Sequence, residues 1–225
     1  DRMRAARESQ ISPAELHAAR SDGPLYELRE LEVHFEIRRG FFSGLAHSER
    51  RHVHAVDGIS LQLARGEILA LVGESGCGKT TVGRALLRLE AATGGEILYK
   101  GLPLSALGAG ALRAYRRHAQ IIFQDPYNAI NPKQTIYDIV AEPLIVNNLV
   151  SSEAEKEAKV IAALEDAGLR PARDYLFRYP HELSGGQRQR VCIAGAIVLA
   201  PDVIVADEPV ASLDVSIRND ILKLM

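Results

Sequence analysis

The stretch Gly73-Glu74-Ser75-Gly76-Cys77-Gly78-Lys79-Thr80 constrains this chain more than any other. It matches G-x-x-x-x-G-K-[ST], the pattern of a loop that wraps phosphate. Its glycines let successive backbone N–H groups converge on phosphate oxygens with no Cβ in the way. The apolar run at residues 67–72 predicts a buried strand leading into the loop, and residues 80–87 predict a helix leading out. The helix N-terminus adds unsatisfied N–H groups and a partial positive charge. In such a loop Lys79 serves the β- and γ-phosphates, and Thr80 offers its hydroxyl to Mg²⁺. Thr81 follows as a further candidate contact in the first helical turn.

Two other constellations carry chemistry. At residues 203–209 the apolar strand Val203-Ile204-Val205-Ala206 ends in Asp207-Glu208-Pro209. A carboxylate at a strand end can hold Mg²⁺, which makes Asp207 a candidate ligand. Glu208 beside it can orient or deprotonate an attacking water. Alone, the pair reads as an acidic turn; the phosphate loop in the same chain favours the chemical reading. In Leu183-Ser184-Gly185-Gly186-Gln187-Arg188-Gln189-Arg190 a serine and two glycines open a helix. That is a second anion-binding helix start, although Ser184 is also an ordinary N-cap.

The phosphate loop at 73–80, the L-S-G-G-Q element at 183–187 and the Asp-Glu strand end at 203–208 resemble, in order and spacing, the ATP-binding-cassette (ABC) ATPases. The resemblance covers residues 25 to 225. Gln124 in Phe123-Gln124-Asp125-Pro126 looks like that family's Q-loop glutamine, and Ser212-Leu213-Asp214 like its D-loop. Phe35 stands near the aromatic that stacks on adenine. Residues 123–132, 179–186 and 73–79, with an insertion at 38–52, are similar to dipeptide and oligopeptide importer ATPases.

The resemblance implies an ATP-hydrolysing enzyme that powers import, with ATP and Mg²⁺ as cofactors. Glu208, Gln124 and Lys79 are then the catalytic candidates. Residues Gly73 to Thr81, Ser184, Gly185, Gly186, Gln187, Asp214 and Phe35 are the nucleotide contacts, and Thr80, Gln124 and Asp207 the metal ligands. It also implies partners: a second cassette packed head to tail, transmembrane permease subunits and, indirectly, an extracytoplasmic solute-binding protein. The implied location is the cytoplasmic face of the membrane, with no nucleic acid bound. The family's switch histidine would fall beyond Met225, so the chain reads as an incomplete cassette. Its linker-like start suits the second module of a tandem chain. Gly195 stands where relatives usually have arginine.

The rest of the sequence fits an α/β fold: a phosphate-loop ABC ATPase core with an inserted helical subdomain and an antiparallel β portion near the N-terminus. Residues 25–37 alternate apolar and polar, the period of a half-buried strand, and residues 55–63 resume that pattern. Short strands are expected at 96–99 and 120–123, and helices at 112–118, 135–145, 152–167, 186–199 and from 215 onward. Ser152-Glu153-Ala154-Glu155 reads as a capping box, with Gly168 ending its helix. The helices between about 135 and 185 come without intervening strands and suggest the inserted subdomain. Residues 1–24 read as a linker or tail.

The composition is an ordinary globular mix, 47% hydrophobic and 25% charged. The formal net charge of -2 gives no basic footprint for nucleic acid. Two cysteines, Cys77 and Cys192, make no bridge framework or metal site. Two other functional classes are open on sequence alone. One is a non-transport ABC ATPase acting on nucleic acid or ribosomes; the other is a regulatory module that binds nucleotide without turnover.

Overall fold

The computed structural model describes residues 11–19, 22–36, 52–210 and 221. Apart from His52 and Ile221, the insertion expected at 38–52 and the helix expected from 215 lie outside the described residues, as does Asp214 with its D-loop. The chain forms two compact units, Asp1–Tyr115 and Arg116–Met225.

The first unit is built on an antiparallel sheet of order β2-β1-β3-β4. Its strands are β1 (Tyr26–Glu36), β2 (His52–Leu63), β3 (Gly94–Tyr99) and β4 (Leu102–Pro103). Along β1 the buried side chains are Tyr26, Leu28, Leu31 and Val33. The alternation slips by one between Leu28 and Leu31, where the register with β2 also shifts. Such a bulge re-aims every residue beyond it. Helix α1 (Pro13–His17) is capped by Ser12, buries Leu16, and follows Ile11, which bridges to Leu107.

Helix α2 (Lys79–Leu86) follows the phosphate-loop motif and buries Val82 and Ala85. Its far end is fixed by two anchors. Tyr115, on α3 (Ala109–His118), donates its hydroxyl to the Leu86 carbonyl and shares a hydrogen bond with the Tyr26 hydroxyl. Arg88 Nη1 donates to the carbonyls of Leu104 (2.8 Å) and Leu107 (3.0 Å). Tyr26, Tyr99 and Tyr115 pack with ring centroids 5.3 and 5.0 Å apart, so three large aromatics are buried together, with the hydroxyls of Tyr26 and Tyr115 paired.

One expectation is corrected here. Residues 67–72 form no strand; they run outside any regular element, with Ile68 91% and Val72 94% exposed. An apolar run of this kind is buried as a strand when it lies within a sheet covered on both faces. Among the described residues, no strand pairs with it.

The second unit holds a parallel pair, β5 (Ala119–Ile122) and β6 (Val203–Ala206), in register Ala119↔Val203 to Ile122↔Ala206. The ladder continues one step, with Asp207 N–H donating to the Ile122 carbonyl at 3.0 Å. Around it lie α4 (Pro126–Ala129), α5 (Ile136–Val146), α6 (Glu153–Asp166) and α7 (Gly185–Ile197). Val140, Leu144, Val160, Leu164, Val191 and Ala194 meet in their shared core.

The helix starts are written in the sequence. Thr135 and Asp138 form a reciprocal capping box on α5. Ser152 caps α6 by accepting from Glu155 N–H at 3.2 Å. The expected box is only half made, because the Glu155 carboxylate turns to the Ser151 N–H and hydroxyl, at 2.9 and 2.8 Å. Lys159, then Ser151, holds the Glu155 carboxyl down at about 2. Gly168 ends the helix at φ +77°; a Cβ there would stand 2.1 Å from Arg190 Nη1, which donates to the Ala167 carbonyl. The α6 C-terminus and α7 are thus joined by one guanidinium, and the left-handed backbone at residue 168 is what calls for glycine.

Leu164 is fully buried where α5, α6 and α7 meet. Leu164→Ala is expected to cost about 2–5 kcal/mol in urea unfolding. A loss under ~1 kcal/mol would mean the helices do not share this core.

Candidate active site

The phosphate-loop motif folds as a turn that only glycine permits at its end. Gly78 is the N-cap of α2 at φ +96°, and a Cβ on it would lie 2.1 Å from the Ala55 carbonyl oxygen. A Cβ on Gly73 would lie 2.6 Å from Cys77 Sγ. No side chain caps α2, so its first N–H groups lack the usual internal partner. Lys79 Nζ bends back over the turn, donating to the Gly73 and Glu74 carbonyls at 2.8 and 2.7 Å, with Cys77 Sγ at 3.8 Å. An ammonium beside an uncapped helix start is a site for an anion. Glu74, Ser75, Gly76 and Cys77 are exposed along the loop; Thr80 and Thr81 follow in the first turn of α2.

Phe35, in the same unit, is 38% exposed near the end of β1, opposite Val53. Its ring is accessible to a flat partner, and the sheet pairs its backbone.

In the second unit the parallel pairing of β5 with β6 aligns two chain segments that are distant in sequence. Gln124 lies two residues beyond β5, and Asp207-Glu208 directly beyond β6. Gln124 Nε2 donates to Glu208 Oε2 at 3.0 Å. Glu208 has φ +46°, a left-handed backbone uncommon for a non-glycine residue. Such conformations concentrate at functional sites.

Ser184 caps α7 in a full capping box. Its hydroxyl accepts from Gln187 N–H at 3.3 Å, and Gln187 Oε1 accepts from Ser184 N–H at 3.0 Å. Ser184 is exposed, whereas Gly186 is buried. The sequence pattern assigns Arg188 no role. In the structure its guanidinium lies 4.1 Å over the Tyr127 ring and donates to the Leu183 carbonyl through Nε and Nη2. It therefore ties the segment after Gln124 to the start of α7. Nothing in the linear pattern marks this stacking contact. Gly195 faces open space, and nothing in the structure explains it.

The donor set fits the groups that the motifs imply. Backbone N–H groups and an ammonium suit phosphate; the Thr80 hydroxyl in the first unit and, separately, the Asp207 carboxylate in the second are hard oxygen donors of the kind that Mg²⁺ accepts.

A phosphate-loop α/β fold is the class this architecture defines. A family model described as ABC transporter matches residues 56–211. The glutathione import ATP-binding protein GsiA of Escherichia coli O157:H7 is 49% identical over 216 residues, which is 96% of this chain and 34% of that protein. Its counterpart in strain K12 is 48% identical over the same span. The chain therefore spans 34% of the length of these curated relatives. Among solved structures, the dimeric ATP-binding cassette MJ0796, described as a post-hydrolysis state bound to ADP and Pi, is similar with a TM-score of 0.74. Its identity is 27%, over 88% of this chain and 80% of that one. The cassette cbiO1 from Clostridium perfringens, described as part of the ABC transporter complex cbiONQ, gives 0.71 at 29% identity, over 90% and 72%. The chain belongs to the ABC transporter family, and its fold is that of the family's ATPase cassettes.

The two thiols differ in a way that can be read directly. Cys77 is exposed on the phosphate-loop turn, whereas burial on α7 pushes the Cys192 thiol up to about 12. A thiol-specific reagent at mildly alkaline pH should therefore label Cys77 quickly and Cys192 only on unfolding. Peptide mapping that finds Cys192 labelled first in the folded protein would contradict this arrangement.

Proposed function

We propose that this chain is the ATP-binding and ATP-hydrolysing part of an ABC importer, carrying di- or oligopeptides or a compound close to them. The first part of the reading is supported by family membership and by the solved cassettes. The cargo class is supported by the segment at 123–132 and by the likeness to an ATP-binding protein for import of glutathione, itself a small peptide. Cargo specificity would lie in the permease and solute-binding partners.

The roles follow from chemistry. Lys79 and the N–H groups of the 73–80 turn neutralise phosphate charge. Phe35 stacks on the base. By the family resemblance, Thr80, Asp207 and Gln124 are the residues that would hold Mg²⁺, which would supply charge neutralisation at the phosphate oxygens. Glu208 accepts a proton from, and orients, the attacking water. Gln124, hydrogen-bonded to Glu208, couples the state of that carboxylate to the segment that Tyr127 and Arg188 anchor.

Ser184, Gly185, Gly186 and Gln187 serve a nucleotide held by a second cassette packed head to tail, a role that the family resemblance extends to Asp214. The dimeric cassette among the similar structures supports that arrangement. Among the described residues, no helix is long and apolar enough to cross a membrane. Attachment to the cytoplasmic face would then run through permease subunits. We read residues 1–24 as a linker or tail and the helices between about 135 and 185 as the inserted subdomain.

The observation that carries the reading is the Gln124–Glu208 hydrogen bond beyond the parallel β5–β6 pair. Glu208→Gln in the full-length protein should lower kcat for ATP hydrolysis by about 10²–10⁴ while leaving ATP affinity near wild type. A coupled assay beside equilibrium binding measures both. Turnover within a factor of ~2 of wild type would remove Glu208 from catalysis. Equal inactivity of both proteins with intact ATP binding would favour a module that binds without turnover.

A further inference from the structure

The outer face of the β1–β2 pair gathers Glu32, His34, His54 and Asp57, groups that the hydrolytic reading does not use. His34 and His54 are direct cross-strand partners, and their rings stack with centroids 3.9 Å apart. The register shifts between Leu31 and Val33 and between Val33 and His34 put extra residues into β2. These bulges crowd Asp57 toward the two imidazoles, where a regular ladder would carry it further along the strand.

The distances are those of ligands around a small cation. His34 Nε2 lies 3.7 Å from Asp57 Oδ1 and 3.9 Å from Glu32 Oε2, and His54 Nδ1 lies 3.7 Å from the same Asp57 oxygen. The three ligand atoms of His34, His54 and Asp57 all fall within 4.8 Å of one another. In a tetrahedral site with bonds of ~2.0–2.2 Å, ligand atoms stand roughly 3.4 Å apart. The two contacts to Asp57 lie within a few tenths of an ångström of that spacing, and the two imidazole nitrogens, within 4.8 Å of each other, would close the rest of the set by side-chain rotation. The same separations are too long for hydrogen bonds. A second observation points the same way: His34 Nε2 is buried and has no hydrogen-bond partner among the described residues. Leaving a buried imidazole nitrogen unpaired is costly, so such a group calls for an explanation.

We propose that His34, His54 and Asp57, with Glu32 in reach as a fourth ligand, form a binding site for a divalent transition-metal ion of the Zn²⁺ class. Two imidazole nitrogens beside carboxylate oxygens select Zn²⁺, Co²⁺ or Ni²⁺ over Mg²⁺ and Ca²⁺, which take oxygen ligands. The site is separate in chemistry from the Mg²⁺ that nucleotide hydrolysis uses. Position gives it a consequence. His34 and His54 bracket residues 37–51 in the chain, and His34 precedes Phe35. A bound ion would cross-link the two strands at the base of that connection.

The test uses tag-free, chelator-stripped full-length protein without nucleotide. Zn²⁺ is titrated by calorimetry, and Co²⁺ by visible absorption. Wild type is compared with His34→Gln, His54→Gln, the double variant, Asp57→Asn and, as a control, His118→Gln. Wild type and the control should bind one ion more than the double variant. Each single histidine change should weaken that ion by about tenfold or more. Zn²⁺ should raise the melting temperature of wild type and the control but not of the double variant. Melts without metal establish that each variant folds. Should the double variant fail to fold, His54→Gln, altering a half-exposed side chain, gives the same reading. The proposal is overturned if wild type binds no ion, or if stoichiometry and affinity are unchanged in the histidine variants.

Discussion

The left-handed turn at Gly78 is the constraint on which the rest of this account depends. It starts α2 against the Ala55 carbonyl with no room for a Cβ. The helix therefore begins uncapped, with its N–H groups directed at whatever the turn surrounds. Lys79, the first residue of the helix, folds back onto the Gly73 and Glu74 carbonyls. At the other end, Tyr115 and Arg88 tether the helix to buried tyrosines and to the carbonyls of Leu104 and Leu107. A positive helix end is held rigidly from behind and left open in front, as electrostatic binding of phosphate requires.

Much of the fold was legible because short-range chemistry decides it. The alternation in β1 and the caps Thr135, Ser152 and Ser184 each specify a local backbone, and the structure follows them. Where a longer-range partner decides, the sequence was less informative. Residues 67–72 have the composition of a buried strand, yet burial depends on the sheet that takes the run in and the layers covering that sheet, not on the run itself. Glu155 had two acceptable donors, at Ser151 and Ser152, and its spacing from Ser152 could not choose between them. The bulge in β1 interrupts the period-two pattern at Arg29-Glu30, but the pattern does not say which residues of β2 the shifted register brings opposite.

The candidate site divides the same way. The phosphate-loop turn and the capped start of α7 are contiguous motifs and could be read directly. The Gln124–Glu208 hydrogen bond joins residues 84 positions apart and exists only because β5 and β6 pair in parallel. The Arg188–Tyr127 stack is likewise a product of packing. The histidine cluster needed both a cross-strand pairing and a bulge, so the separate histidines gave no sign of it in sequence.

The central claim is that the 73–80 turn binds phosphate through its N–H groups and Lys79. Equilibrium binding of a fluorescent ATP analogue to the full-length protein, in wild type and Lys79→Ala, tests it most directly. The account predicts saturable binding that ATP and ADP displace. In the variant it should be weakened by about tenfold or more, the loss of one charge-assisted contact, at an unchanged melting temperature. Equal affinity in the two folded proteins would contradict it.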